Sequence, residues 1–166
     1  MQILDYANNE INYSGDCLGC AYVKHEFSLP CGMAYEDDIC TVSQDWELPI
    51  NGMIIVAPKR HVITFEDMTK EERMHLFEIV NNVILVLRKN NIANNFNVLF
   101  EEKENTHFHI WILPRDEWKE KEIDPTKDIQ KVIECSLREF KNEENYKRIL
   151  RTTDFLKSEI KKTILN

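Results

Sequence analysis

The alternation of apolar and polar residues changes period several times along the chain, and those changes mark out its elements. Residues 1–16 (MQILDYANNEINYSGD) are polar with scattered apolar anchors and no period, which predicts a loosely ordered lead-in. Two short β-prone runs, 33–35 and 39–43, flank the turn Glu36-Asp37-Asp38 and predict a hairpin. After a loop over 45–51 containing Pro49, the apolar run 53–57 reads as a buried strand stopped by Pro58. Thr69-Lys70-Glu71-Glu72 matches a capping box. Beyond it Leu76, Phe77, Val80, Val83, Ile84 and Leu87 recur at three- and four-residue steps, so one apolar helix face is predicted up to about Lys89. The runs 96–100 and 106–113 then predict two antiparallel strands joined by the acidic turn Glu101-Glu102-Lys103-Glu104-Asn105.

The chain changes character after Arg115. Asp124-Pro125 predicts a helix start, with proline at the first helical position. Ile129, Val132, Ile133, Ser136, Leu137 and Phe140 follow helical spacing, and a further amphipathic segment carries Tyr146, Ile149, Leu150, Leu156, Ile160 and Ile164. The expected architecture is α+β: an antiparallel sheet of about five strands, one long helix after the Pro58-Lys59-Arg60-His61 segment, and extra C-terminal helices. The division this suggests is a lead-in (1–16), a main domain (17–115) and a C-terminal helical extension (116–166) packed on the domain or on a partner chain. There are no internal repeats.

Composition narrows the function classes. At 166 residues, 43% hydrophobic and 30% charged, the chain can bury a real core. Its longest apolar stretches fall well short of the roughly 20 residues that span a bilayer, no secretion signal opens it, and the expected address is the cytoplasm. The net charge of −8 comes from residues 1–57, where Lys24 faces nine acidic residues. No positive stripe is present, which disfavours bulk nucleic acid. A small phosphorylated ligand needs only local donors.

Candidate chemistry lies in two places. Five cysteines cannot all pair within one chain, and Cys17-Leu18-Gly19-Cys20 has the spacing of half a tetrahedral zinc site, or of a redox pair. In 106–115 (THFHIWILPR) strand alternation groups His107, His109, Trp111 and Leu113 on one face, and Phe108, Ile110 and Ile112 on the other, apolar one. The spacing alone is equally compatible with two half-buried surface histidines.

His107-Phe108-His109-Ile110-Trp111-Ile112-Leu113-Pro114-Arg115 resembles the signature of the histidine-triad (HIT) family of nucleotide hydrolases and transferases. Ala34-Tyr35-Glu36-Asp37 is similar to that family's first hairpin, Pro58-Lys59-Arg60-His61-Val62 to its PK-x-H segment, and Cys17–Cys20 falls where the zinc-containing branch carries its CxxC. The resemblance spans about residues 17–115. It implies a structural zinc held by Cys17, Cys20, His61 and His107. A rival set uses Cys17 and Cys20 with Cys31 and Cys40, or with His25. It ranks lower because Cys40 falls inside a predicted strand and Cys31 follows a proline in an irregular stretch.

The resemblance further implies that His109 is a nucleophile forming a nucleotidyl-histidine. An imidazole is well suited because a useful fraction is uncharged near neutral pH. Asp45 matches the position that binds ribose hydroxyls, although a loop aspartate capping a turn reads the same way. Trp111 and Asn105 would also contact substrate, and a homodimer is implied. Three features depart from the pattern: Trp111 stands at the third triad position in place of His or Gln, Met53 replaces a further His, and the turn before the motif is acidic. The rival class is a catalytically inactive HIT-fold module that binds nucleotides or partners and is stabilised by zinc.

Overall fold

A computed structural model describes residues 3–100, 102 and 106–165. The chain runs β1 (Ile3–Leu4), β2 (Glu10–Ile11), α1 (Leu18–Val23), β3 (Met33–Glu36), β4 (Cys40–Gln44), β5 (Ile54–Pro58), α2 (Lys70–Lys89), β6 (Phe96–Phe100), β7 (Ile110–Pro114), a 3-10 turn at Asp116–Trp118, α3 (Ile129–Glu139) and α4 (Glu143–Ile164). Five strands form one antiparallel sheet in the order β3-β4-β5-β7-β6, so β7 lies inside the sheet between β5 and β6. The architecture is α+β, as the pattern predicts.

Strand alternation gives the sheet two buried faces. Cys40, Val42, Ile54, Val56, Ile110 and Ile112 meet Leu76, Ile79, Val80, Val83, Val86 and Leu87 of α2 and Leu156 and Ile160 of α4. Each such side chain, fully buried, stabilises the fold by roughly 1.5–3 kcal/mol. On the opposite face Met53 and Leu113 pack with Leu48, Ile50, Trp118, Val132 and Cys135, and Trp111 leans against this second cluster. The second cluster therefore draws on α3 as well as on the sheet.

The helix begins as its sequence dictates. The Thr69 hydroxyl accepts from the Glu72 amide and the Glu72 carboxylate accepts from the Thr69 amide, a complete capping box. Its buried stripe is shifted from the predicted one: Ile79 and Val86 are buried while Phe77 is 45% exposed. Two partners, the sheet and α4, cover α2, and a helix covered from two sides buries a broader stripe than periodicity over one face suggests.

Three further boundaries differ from expectation. The lead-in contains a β1–β2 hairpin whose turn is held by Asp5, which accepts from the Ala7 and Asn9 amides at 2.8 and 2.9 Å. Strand β7 starts at Ile110 rather than at 106. Pairing with β5 stops near Pro58, which has no N–H to give, and the Phe108 amide donates instead to Val62 O at 2.9 Å. Asp124-Pro125 forms a turn rather than a helix start: Asp124 accepts from the Thr126 amide at 3.0 Å, and α3 begins at Ile129.

Candidate active site and metal centre

The CxxC segment folds as the first turn of α1, with Cys17 as N-cap accepting from the Cys20 amide at 3.4 Å. This turns both thiols toward the segment before β7. The Cys20 Sγ lies 3.2 Å from His61 Nδ1 and 3.5 Å from His107 Nδ1, and Cys17 Sγ lies 3.9 Å from His107 Nδ1. The four ligand atoms all fall within 4.8 Å of one another. Tetrahedral zinc, with Zn–S about 2.3 Å and Zn–N about 2.0–2.1 Å, sets sulfur and nitrogen ligands about 3.5 Å apart. The observed separations bracket that value.

Two features fit the cluster to a cation. The His107 Nε2–H donates to Pro58 O at 2.7 Å, which fixes the tautomer and leaves the Nδ1 lone pair facing the thiols. Burial holds the His107 pKa below its ordinary value, favouring the neutral ligating form. Burial and the neighbouring Cys17 push the Cys20 thiol up to about 11, so a thiolate here needs a positive charge beside it. That environment is unlike the electropositive one that makes a redox cysteine reactive.

Gly19 is a requirement that the sequence reading missed. A Cβ there would stand 2.5 Å from His107 Cβ and 2.7 Å from Cγ, so only glycine lets α1 approach the imidazole this closely. The signal was the glycine inside the CxxC itself. His61 is exposed, and the segment carrying it is tied to α2 by Arg60, which donates to both Glu72 carboxylate oxygens at 2.9 and 2.7 Å. This fork holds the Glu72 pKa down at about 2.

The rival ligands lie elsewhere. Cys31 sits 3.3 Å from the Tyr6 hydroxyl, and His25 lies 3.2 Å from Glu36. Cys40 is fully buried near Asp37 and His75. Asp37 is saturated there: Oδ1 accepts from the Ile39 and Cys40 amides, and Oδ2 from Tyr35 and His75. His75 is half-buried and tethers α2 to the β3–β4 turn.

His109 follows the cluster directly. Its Nδ1 lies 2.9 Å from the His107 carbonyl, which can only accept, so Nδ1 carries a proton and in the neutral ring Nε2 carries the lone pair. The ring is half-buried, its centroid 5.7 Å from that of Trp111 at an interplanar angle of 42°. Trp111 pairs in register with Ile55 and Leu99, and its Nε1–H is buried without an acceptor among the described residues. Arg115 is engaged away from the site, with Asn97, Thr126 and Asp124.

Asp45 follows β4 on the same side of the sheet. Its Oδ1 accepts from the Glu47 and Leu48 amides, both at 2.8 Å, and burial pushes its pKa up to about 7. The register Ser43–Ile55–Trp111 puts Asp45 two strands and four residues from His109. Strand spacings of about 4.8 Å and rises of about 3.4 Å per residue make that separation on the order of 16 Å. Asn105 lies outside the described residues.

Comparisons with known proteins converge on one family. The chain is 30% identical over 107 residues to an uncharacterized HIT-like protein of Methanocaldococcus jannaschii, covering 61% of this chain and 80% of that one. It is 28% identical over 107 residues to an adenylylsulfatase, HINT3, of Arabidopsis thaliana, covering 61% of this chain and 53% of the plant protein. Its fold is similar to a Zn-bound histidine triad family protein from Mycobacterium smegmatis, with a TM-score of 0.59, 19% identity, and 86% and 96% of the two chains covered. A hypothetical histidine triad nucleotide-binding protein from Sulfolobus tokodaii gives a TM-score of 0.61 at 18% identity, with 88% and 93% covered. The HIT domain model matches residues 26–118, a stretch that includes His61, His107 and His109 and begins after the two cysteines. With more than half of its length matched by that model, the chain belongs to the HIT domain family.

Proposed function

We propose that this protein is a nucleotide hydrolase or nucleotidyl transferase that acts at an α-phosphate through a covalent nucleotidyl-histidine on His109. The observation that carries the reading is the hydrogen bond from His109 Nδ1 to the His107 carbonyl, which leaves a lone pair on Nε2 of a half-buried imidazole. A base fixed in this way can attack phosphorus without first losing a proton. Water, or a second acceptor, then resolves the intermediate. Asp45 supports the same reading, because its separation from His109 suits two side chains with a nucleoside monophosphate between them. Its second oxygen would receive the ribose hydroxyls. Trp111 would flank the phosphate, with Asn105 contributing from the preceding turn.

Zinc would be held by Cys17, Cys20, His61 and His107. With four protein ligands no position remains for water, so the ion would be structural. It would fasten α1 to the segment that carries the nucleophile. The relative named as an adenylylsulfatase favours a nucleotide substrate for this chain. The proposal extends to a cytoplasmic homodimer that binds small nucleotides rather than nucleic acid or membrane. Strand β6 is an open sheet edge with exposed Val98 and Phe100, and no described helix is long and apolar enough to cross a membrane. Light scattering should give twice 19.7 kDa.

The deciding experiment is incubation with adenosine 5′-phosphosulfate and adenosine 5′-phosphoramidate, with AMP release followed by chromatography and an adduct on His109 sought by mass spectrometry. His109→Ala should lose AMP release and the adduct. Undiminished turnover by that variant would remove His109 as the nucleophile, and no turnover by the wild type would favour the inactive module instead.

A further inference from the structure

The third position of the motif is an indole. Trp111 lies two residues beyond His109 on β7, its ring beside the imidazole and its register partners Ile55 and Leu99 both apolar. Indole donates one hydrogen bond and neither gains nor loses a proton near neutral pH. The ionisable groups of the motif and of the segments leading into it have other partners among the described residues. Lys59 pairs with Glu36, and Arg115 with Asp124. Asp45 lies on the order of 16 Å from His109 by strand geometry. His107 gives its proton to Pro58 O. Glu102 accepts from the Phe65 amide.

We propose that Trp111 restricts this site to nucleotides whose leaving group departs as the oxyanion of a strong acid, such as sulfate or pyrophosphate, and excludes nitrogen leaving groups. The inference rests on the nucleotidyl-histidine reading and specifies its substrate class. In the first step the His109 Nε2 lone pair forms a bond to phosphorus, and the bond from phosphorus to the leaving atom breaks with its electron pair. A sulfate oxygen carries that pair away without a proton. An amine nitrogen must be protonated before or as it leaves, and no described residue beside His109 can supply the proton. In the second step a water oxygen attacks phosphorus, the P–N bond returns its pair to Nε2, and the water proton passes to solvent. The products are a nucleoside 5′-phosphate, the anion of the leaving group and one proton.

The buried Nε1–H fits this assignment. It meets no acceptor among the described residues, and an anionic oxygen on the phosphoryl or leaving group would be a suitable one. Such a donor steadies charge on oxygen without transferring a proton.

The test compares kcat/KM for adenosine 5′-phosphosulfate and adenosine 5′-phosphoramidate in the wild type, Trp111→His and Trp111→Phe. General acid catalysis contributes typically 10²–10⁴-fold. The wild type should therefore prefer the phosphosulfate by about 100-fold or more, Trp111→His should narrow that ratio at least about tenfold, and Trp111→Phe should leave it wide. A second measurement needs no variant. Adenosine 5′-aryl phosphates with phenols of graded acidity should slow steeply as the phenol becomes a weaker acid. Comparable turnover of both adenosine substrates, an unmoved ratio in Trp111→His, or a flat dependence on phenol acidity would each overturn the proposal while leaving the His109 nucleophile standing. Absence of any nucleotide turnover and of any His109 adduct would remove the parent reading as well.

Discussion

Replacing Gly19 by alanine sets two effects of opposite sign against each other. Gly19 lies within α1, and alanine in a helix interior is favoured over glycine by up to about 1 kcal/mol. The new methyl, however, would stand 2.5 Å from His107 Cβ, where carbon atoms at rest keep about 3.5–4.0 Å. A gap of about 1 Å must therefore open. His107 cannot yield, because its ring is held on Pro58 O at 2.7 Å and the next residue's amide on Val62 O at 2.9 Å. The helix must retreat, taking Cys17 and Cys20 with it, whereas metal–ligand distances tolerate about 0.2 Å. Gly19→Ala should thus lose about 10–100-fold in zinc affinity, the range seen when support around a site is disturbed. Competition against a chromophoric chelator would measure this, and thermal unfolding of both proteins with and without chelator would show whether the proposed metal stabilises the fold. Unchanged zinc affinity together with a raised melting temperature would refute the reasoning, since helix propensity would then be the only effect present.

Asp45→Asn should flatten the pH dependence of stability. Between the unfolded carboxyl's pKa of about 4 and the folded value of about 7, the native state keeps a proton the unfolded chain has lost, so stability falls as pH rises through that window. The amide oxygen can still accept from Glu47 and Leu48, and urea unfolding at pH 5 and pH 8 should show the variant gaining most at the higher pH. Thr69→Ala removes the N-cap of α2 and should lose about 1 kcal/mol, read as a fall of about 2–4 °C in melting temperature. Arg60→Met frees the His61 segment from Glu72. Because that carboxyl's folded pKa is depressed, its contribution is present above the unfolded value and lost as pH falls toward about 2, so the variant's deficit at neutral pH should vanish in acid denaturation.

Local signals in the sequence were sufficient for the elements that depend on local rules. The capping box at Thr69 and the alternation through Ile110 and Ile112 reappear as a capped helix and a two-faced strand. The residues that converge at the cluster were grouped by family resemblance, since nothing in spacing alone unites Cys20 with His61. What escaped the sequence reading is what depends on tertiary partners. Phe77 and Ile79 both fit a helical stripe, and the docking of α4 decides between them. The Asp5 turn is visible only as an aspartate followed at four residues by an asparagine, too slight a pattern beside two-residue strands. Gly19 counts as part of a motif until His107 is seen against it.

The second core cluster joins Trp111 to Trp118, Val132 and Cys135. Helix α3 lies past the end of the HIT domain match at residue 118. The packing behind the indole is thus furnished only in part by the shared domain, through Leu48, Ile50, Met53, Leu113 and Trp118, and is completed from α3. Altered packing between residues 129 and 139 would reach the ring through this cluster while every residue of the signature stayed the same, so the surroundings of Trp111 are set in part by the tail of the chain.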